Sequence, residues 1–232
     1  MKIFVEGDLL EGYFVRRLNR FIAEVNVNGR TEISHVPNTG RMKELLLPKA
    51  KVILRRVNDP KRKTIFDLLM VYKDGLLIAI DSKLPNTMLD KAFKAKAIEG
   101  FNYFTEVKRE VRFGNSKFDF SLNNGREHAL IEAKCVTLVK DNFRASFPDA
   151  PTERGTKHVM ELIEAKKCGI RGAVFFIVQR EDCNKFIPNL EMDESFYEAV
   201  KLGLDYGVEF YAYKCKVTPD YVELKETIEV TI

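Results

Sequence analysis

Two short segments of this 232-residue chain carry side chains whose types and spacing suit metal-assisted hydrolysis of a phosphodiester. The first is Lys117-Phe118-Asp119-Phe120-Ser121-Leu122. After Asn123-Asn124-Gly125 comes the second, Leu130-Ile131-Glu132-Ala133-Lys134. Read as strands, both alternate side chains between two faces. Phe118, Phe120 and Leu122 then share one face and leave Asp119 on the other, while Glu132 and Lys134 point together, away from Ile131 and Ala133. Paired across the turn, the strands bring Asp119, Glu132 and Lys134 to one surface. Two carboxylates and the main-chain carbonyl of Ala133 are hard oxygen donors of the kind Mg²⁺ or Mn²⁺ takes. The adjacent ammonium would orient the attacking water and stabilise negative charge at the scissile phosphate.

An acid-x-Lys triplet alone is a weak signal, because it occurs at six places in the chain. Asp59-Pro60-Lys61, Glu106-Val107-Lys108, Glu164-Ala165-Lys166 and Glu223-Leu224-Lys225 read as surface charge. Asp81-Ser82-Lys83 is a rival, since Asp67 precedes it across the turn Lys73-Asp74-Gly75 and repeats the order acid, turn, acid-x-Lys. What favours the later set is the segment from Phe147 to His158, a polar loop entering a helix that bears Arg154, Lys157 and His158. Helix N-termini offer free N–H groups and partial positive charge to a phosphate. His35 and Arg41, at either end of the turn around Pro37-Asn38-Thr39-Gly40, are further candidates for nucleic-acid contact, whereas His128 reads as surface. Three scattered histidines make neither a zinc site nor a hydrolase triad. The chain has no phosphate-binding Walker loop and no Gly-x-Gly-x-x-Gly, which argues against a nucleotide-driven motor or a dinucleotide enzyme.

The elements that must position these residues fall into two groups. Leu10 to Leu18, Phe21 to Val27, Glu32 to Val36, Val52 to Val57, Ile65 to Tyr72 and Leu76 to Ile80 are rich in β-branched and aromatic residues and are separated by turn formers. A short helix is expected at Met42 to Leu47, before Pro48. Such a set predicts an OB-like β-barrel over residues 1–82. Pro85-Asn86-Thr87 then caps a helix running to Ile98. Strands follow at Val107 to Phe113, Phe118 to Leu122 and Ala129 to Leu138, then a helix at Thr156 to Lys167, a strand at Ala173 to Gln179 and a helix at Phe196 to Tyr206. Strands at Val208 to Lys216 and Val222 to Val230 close the chain. This predicts an α/β domain over residues 83–232.

The formal charge of +4 identifies no partner, but its distribution is informative. Residues 1–117 hold 23 basic and 14 acidic side chains, net +9, and residues 181–232 hold 5 and 12, net −7. An N-terminal basic excess is the footprint expected for a polyanion such as DNA. The longest apolar run, Ala173 to Val178, is far shorter than the roughly 20 residues of a membrane span, and the acidic start does not read as a secretory signal. A cytoplasmic protein is therefore expected. Cys135, Cys168, Cys183 and Cys215 form no close pair and are expected as reduced core residues.

Taken together, His35-Val36-Pro37-Asn38-Thr39-Gly40-Arg41-Met42, Lys117-Phe118-Asp119-Phe120, Ile131-Glu132-Ala133-Lys134-Cys135-Val136-Thr137-Leu138 and the segment from Phe147 to His158 resemble the SfsA family, the sugar fermentation stimulation proteins. The resemblance covers nearly the whole chain. It implies a two-domain α+β protein in which an OB-like barrel is followed by a restriction-endonuclease-like domain of the PD-(D/E)xK type, with Asp119, Glu132 and Lys134 at the family's acid and acid-x-Lys positions. It also implies DNA binding. Two functions then compete: a DNA-binding protein with a Mg²⁺- or Mn²⁺-dependent nuclease site, and a non-catalytic DNA-binding regulator of sugar metabolism that keeps the nuclease fold.

Overall fold

The computed structural model describes residues 1–232. The N-terminal part comprises β1 (Lys2–Phe4), β2 (Leu9–Asn19), β3 (Ile22–Val27), β4 (Arg30–His35), β5 (Lys51–Arg56), β6 (Phe66–Lys73) and β7 (Leu76–Ala79). Strands β2 to β7 form a sheet in the order β4-β3-β2-β5-β6-β7. It curls into the expected OB barrel because β4 also pairs with β6, in parallel, through Ser34 with Phe66 and His35 with Asp67. Alternation explains which side faces in: Ala23, Val25 and Val27 of β3 are buried against Phe14, Val52, Leu54 and Leu68.

The helix expected at Met42 to Leu47 is absent; the segment is a series of turns. Met42 adopts φ 45°, the left-handed region that no helix can propagate through. Its apolar spacing has another cause: Met42, Leu45 and Leu46 plug the barrel core. Residues 2–4 depart from the expected division too, because β1 does not join the barrel.

The remainder comprises α1 (Leu84–Lys94), β8 (Glu106–Phe113), β9 (Ser116–Asn123), β10 (His128–Val136), β11 (Val139–Lys140), β12 (Arg144–Phe147), α2 (Glu153–Lys167), β13 (Arg171–Val178), β14 (Lys185–Pro188), α3 (Glu194–Asp205), β15 (Glu209–Val217) and β16 (Tyr221–Val230). One long sheet runs β11-β12-β14-β16-β15-β13-β10-β9-β8, and β1 adds to β16. Its centre, β10-β13-β15, is parallel, and the full burial of Ala173 to Val178 in β13 fits a strand covered on both faces. Helices α2 and α3 cover one face, around Leu162, Phe176 and Phe196. On the other, α1 packs with Phe120, Ile131 and Phe175, and the barrel's outward side chains Ile53, Leu69 and Met70 join the same cluster. Barrel and sheet therefore share one apolar core. No helix is long and apolar enough to cross a membrane. Of the four cysteines, all free, Cys183 and Cys215 are buried and Cys135 is half-buried, but Cys168 is exposed at the end of α2, against expectation.

Candidate metal and nucleic-acid site

Strands β9 and β10 pair from Asn123 with His128 as far as Phe120 with Ile131, and there the ladder stops. Beyond that point the side chain of Asp119 replaces the missing partner strand: its Oδ2 accepts from the Ala133 N–H at 2.8 Å. Asn86, in the first turn of α1, donates to Asp119 Oδ1 at 2.7 Å. In a strand the N–H and C=O of one residue face the same edge. The Ala133 carbonyl is thus directed into the same opening, an available third oxygen.

The expectation that Phe118, Phe120 and Leu122 share a face fails. Phe118 packs on the α2 side and Phe120 and Leu122 on the α1 side. Across from Asp119, Glu110 of β8 adopts φ 58°, and the register passes from Arg109–Phe120 to Val111–Phe118 without pairing the residues between. The β8–β9 ladder is thus unpaired at Asp119 as well.

Glu132 points to the α2 side, where it is buried at 4% exposure. Lys134 Nζ donates to its Oε1 at 2.6 Å. His158 Nδ1, from α2, lies 2.5 Å from the same oxygen, close but outside hydrogen-bond alignment. Arg154 Nε donates to His158 Nε2 at 3.4 Å. With Nε2 accepting, the ring proton belongs on Nδ1, facing the carboxylate. Burial opposes ionisation of Glu132, but Lys134 and His158 outweigh it and hold its pKa below the ordinary value. Asp119 goes the other way: burial and the nearby charge of Glu132 push its pKa up to about 6. Two carboxylates with opposed shifts and one cation between them are short of positive charge. Glu132 Oε2 is moreover buried with no protein hydrogen-bond partner, as are Glu44 Oε1, Asp90 Oδ1 and Glu161 Oε2 elsewhere; what sets Glu132 apart is the second carboxylate facing it.

A divalent cation fits this donor set. Asp119, Glu132 Oε2 and the Ala133 carbonyl would hold it, and its charge would satisfy the orphaned oxygen. Side chains alone do not gather into a metal site, since no three His, Cys, Asp or Glu side chains come together; the main-chain oxygen would be the third donor.

The other expected residues scatter. Helix α2 begins at Glu153, earlier than its pattern suggested, with Thr152 Oγ1 accepting from Gly155 N at 3.0 Å. Arg154 and Lys157 are therefore on its first turns, lining an all-polar cleft of about 440 Å³ with Asn115, Ser116 and Lys117. His158 forms the cleft's inner wall but is 3% exposed, so it positions Glu132 rather than meeting a phosphate as expected. Arg41 lies on the barrel in a groove of about 460 Å³ with Arg16, Arg17, Arg20 and Lys43. Of these, Arg16 is neutralised by Glu24 at 2.7 Å. Arg17 is spent on main-chain carbonyls, including those of Asn38 and Gly40 at 2.6 and 2.5 Å. Arg20, Arg41 and Lys43 have no acidic partner.

His35 is on neither surface. Its Nδ1 lies 3.2 Å from Asp67 Oδ1, in a barrel cleft where Arg55 and Arg62 also clamp Asp67 at 2.8 and 2.6 Å. Burial opposes the charge of Asp67, but the two arginines override it and bring its pKa down to about 2 from 3.8. A carboxyl depressed on folding stabilises above its unfolded pKa, and that stability vanishes as pH falls through the folded one. Acid titration of the wild type between pH 4 and 2 should remove about 2 kcal/mol at most, because the arginines are partly wet. Asp67→Asn should show no such step; urea melts that lose stability equally in both proteins over that window would refute the assignment.

Asn86 and the Arg154-His158-Glu132 chain were not visible in the sequence. Pro85-Asn86-Thr87 reads as a cap, yet Lys83 occupies the cap position and makes no side-chain bond there, which frees Asn86 for Asp119. The spacing of Arg154 and His158 by one helical turn was the available signal for the second.

Comparison with known proteins agrees with this architecture. The family model described as "SfsA N-terminal OB domain" matches residues 15–80, and that described as "Sugar fermentation stimulation protein RE domain" matches residues 83–221. The chain belongs to the sugar fermentation stimulation protein family. A homolog from Alkaliphilus metalliredigens is 59% identical over 231 residues, covering 99% of this chain and 100% of the relative. One from Caldanaerobacter subterraneus subsp. tengcongensis is 43% identical, covering 99% and 100%. The solved structure of Pyrococcus furiosus SfsA in complex with Ca²⁺ superposes over 100% of both chains with a TM-score of 0.91 at 27% identity.

Proposed function

We propose that this protein binds DNA and hydrolyses its phosphodiester bonds with Mg²⁺ or Mn²⁺ at Asp119, Glu132 and Lys134. The observation that carries the reading is the buried, partnerless Oε2 of Glu132 beside an Asp119 held up to about 6, two carboxylates with only the Lys134 ammonium to balance them. The relative from Pyrococcus furiosus was solved in complex with Ca²⁺, another hard, oxygen-seeking ion, which supports cation binding in the family.

A bound divalent cation would make water more acidic and neutralise charge on the phosphate. The chain's own residues do the rest. Asn86 and the Ala133 N–H fix both oxygens of Asp119. His158 and Lys134 restrict Glu132 to one rotamer. Lys134, its ammonium tied at 2.6 Å to Glu132, is placed to stabilise charge growing on the phosphate. Arg154 and Lys157 line the cleft on the α2 side, and Arg20, Arg41 and Lys43 offer unpaired cations to the backbone on the barrel side.

Incubating the protein with single-stranded, duplex and branched DNA in Mg²⁺ or Mn²⁺ tests the reading, with EDTA as the metal-removal control. Salt-dependent binding with no cleavage of any substrate would leave a DNA-binding regulator in its place. The barrel contribution is separable. Replacing Arg20, Arg41 and Lys43 together by Ala should weaken binding to all sequences alike. It should also flatten the plot of log affinity against log salt by about 2 to 3 units, near 0.7–0.9 per lost phosphate contact. An unchanged slope would move the DNA off this face.

A further inference from the structure

The cleft around Asp67 belongs to neither the carboxylate site nor the arginine groove. It is an open cleft of about 530 Å³ in which charged and polar side chains stand beside Ile22 and Pro37. Its walls come from four parts of the barrel: His35 from β4, Arg55 from β5, Arg62 to Thr64 from the loop before β6, and Asp81 and Lys83 from the link between β7 and α1. The acid, turn, acid-x-Lys pattern that rivals the catalytic set in the sequence thus folds into a pocket of its own.

In it, Arg55, Arg62, Lys63 and Lys83 face Asp67 and Asp81, so 4 − 2 leaves a formal +2. Asp67 is buried and consumed by Arg55 and Arg62, at 2.8 and 2.6 Å. Its effect is to fix both guanidinium planes while leaving N–H donors unused, since each arginine has five. Thr64 Oγ1 accepts from Arg62 Nη2 at 3.0 Å and fixes that side chain further. Lys63 and Lys83 are exposed and make no ion pair, so their ammonium groups are free. Preorganised cations gathered around one cleft are the features of an anion site.

We propose that this cleft is a binding site for a phosphate monoester, held by Lys63 and Lys83 against the fixed guanidinium groups of Arg55 and Arg62. A monoester carries about −1.5 to −2 near neutral pH, which matches the excess charge, whereas each backbone diester carries only one. Two sources share this chemistry: a free nucleotide, and the phosphorylated terminus of a DNA strand. The second source rests on the proposed nuclease function. Lys83 precedes α1 and Asn86 in its first turn holds Asp119, so the cleft and the carboxylates flank one helical turn. The pocket itself does not depend on catalysis.

The experiment is titration calorimetry in EDTA, where nothing is cut. Inorganic phosphate, adenosine 5′-monophosphate and two short single strands differing only in a 5′-phosphate or 5′-hydroxyl are titrated into the full chain. Inorganic phosphate or the nucleotide should bind, and the Lys63→Gln/Lys83→Gln variant should bind about tenfold more weakly or worse. Both lysines are exposed and unpaired, so that variant should melt like the wild type. A preference for the phosphorylated strand, lost in the variant, identifies a strand terminus as the source. Equal binding of the two strands beside nucleotide binding identifies a free nucleotide. No binding of phosphate or nucleotide together with equal strand binding, or affinities indifferent to the double substitution, overturns the proposal. Asp119→Asn should bind these ligands as the wild type does, so failure of the nuclease reading and failure of the pocket remain distinguishable.

Discussion

Asp119→Asn should reduce metal-dependent DNA cleavage by about a hundredfold or more while making the metal-free protein more stable at neutral pH. The first effect follows from charge. The amide can still accept from the Ala133 N–H, so the fold survives, but a neutral group no longer supports a divalent cation, and losses of this kind are on the order of 10²–10³ or greater. The second follows from linkage. Asp119 rises from 3.8 to about 6 on folding. An acid raised in this way favours the native state while protonated, and that contribution fades as pH climbs from the unfolded value through the folded one. Above about pH 6 the ionised carboxylate therefore destabilises the fold, by about 3 kcal/mol, and Asn removes that burden. Mg²⁺ should raise the melting temperature of the wild type and leave Asp119→Asn unmoved, because binding to the native state stabilises by mass action. Its effect on the wild type should shrink below pH 6, where protons compete for the carboxylate. Cleavage that persists in Asp119→Asn, or a Mg²⁺ shift equal in both proteins, would place the metal elsewhere.

The parts of this arrangement that sequence reveals are those set by local periodicity. Strands with alternating burial, such as β3 and β5, and helices with an apolar face, such as α2 and α3, announce themselves because each must bury one side. Asp119, Glu132 and Lys134 stand out in the sequence because they interrupt such strands with charge. What stayed hidden depends on contacts between distant segments. Strand β1 is three residues long and pairs with Tyr221 to Glu223, more than two hundred positions away. Strands β11, β12 and β14 are similarly brief and take their pairing from the sheet edge. Met42 to Leu47 shows the reverse error: an apolar spacing imposed by a barrel plug imitates a helical one. His158 misleads in a related way. A histidine on the first turns of a basic helix reads as a phosphate contact until the strand beneath it is known to carry a buried carboxylate. The left-handed Glu110 opposite Asp119 is equally hidden, since glutamate seldom adopts φ > 0.

Phe93→Ala should cost about 3–5 kcal/mol of stability, the largest loss expected of any single side chain near the site. Its ring is 3% exposed and lies 5.9 Å from Phe101, 5.6 Å from Phe120 and 5.6 Å from Phe175, edge-on to the last two. Removing it empties space among three rings held by different elements, which cannot collapse together without moving the sheet. Helix α1 has no independent support: at 11 residues, without a capping side-chain bond, it is too short to persist unless packed. Phe93 lies two turns beyond Asn86 on that helix, so loosening it releases the hydrogen bond that aims Asp119. Phe93→Ala should therefore lower cleavage as well as stability, whereas Asn86→Ala should lower cleavage with little change in urea midpoint. Leu204→Ala on α3, at 45% exposure, serves as a control and should cost well under 1 kcal/mol. A Phe93→Ala midpoint within 1 kcal/mol of wild type would mean that the aromatic cluster does not hold α1 to the sheet. Asn86 would then have to be positioned by the barrel instead, through the Leu69 and Met70 side chains that share the same core.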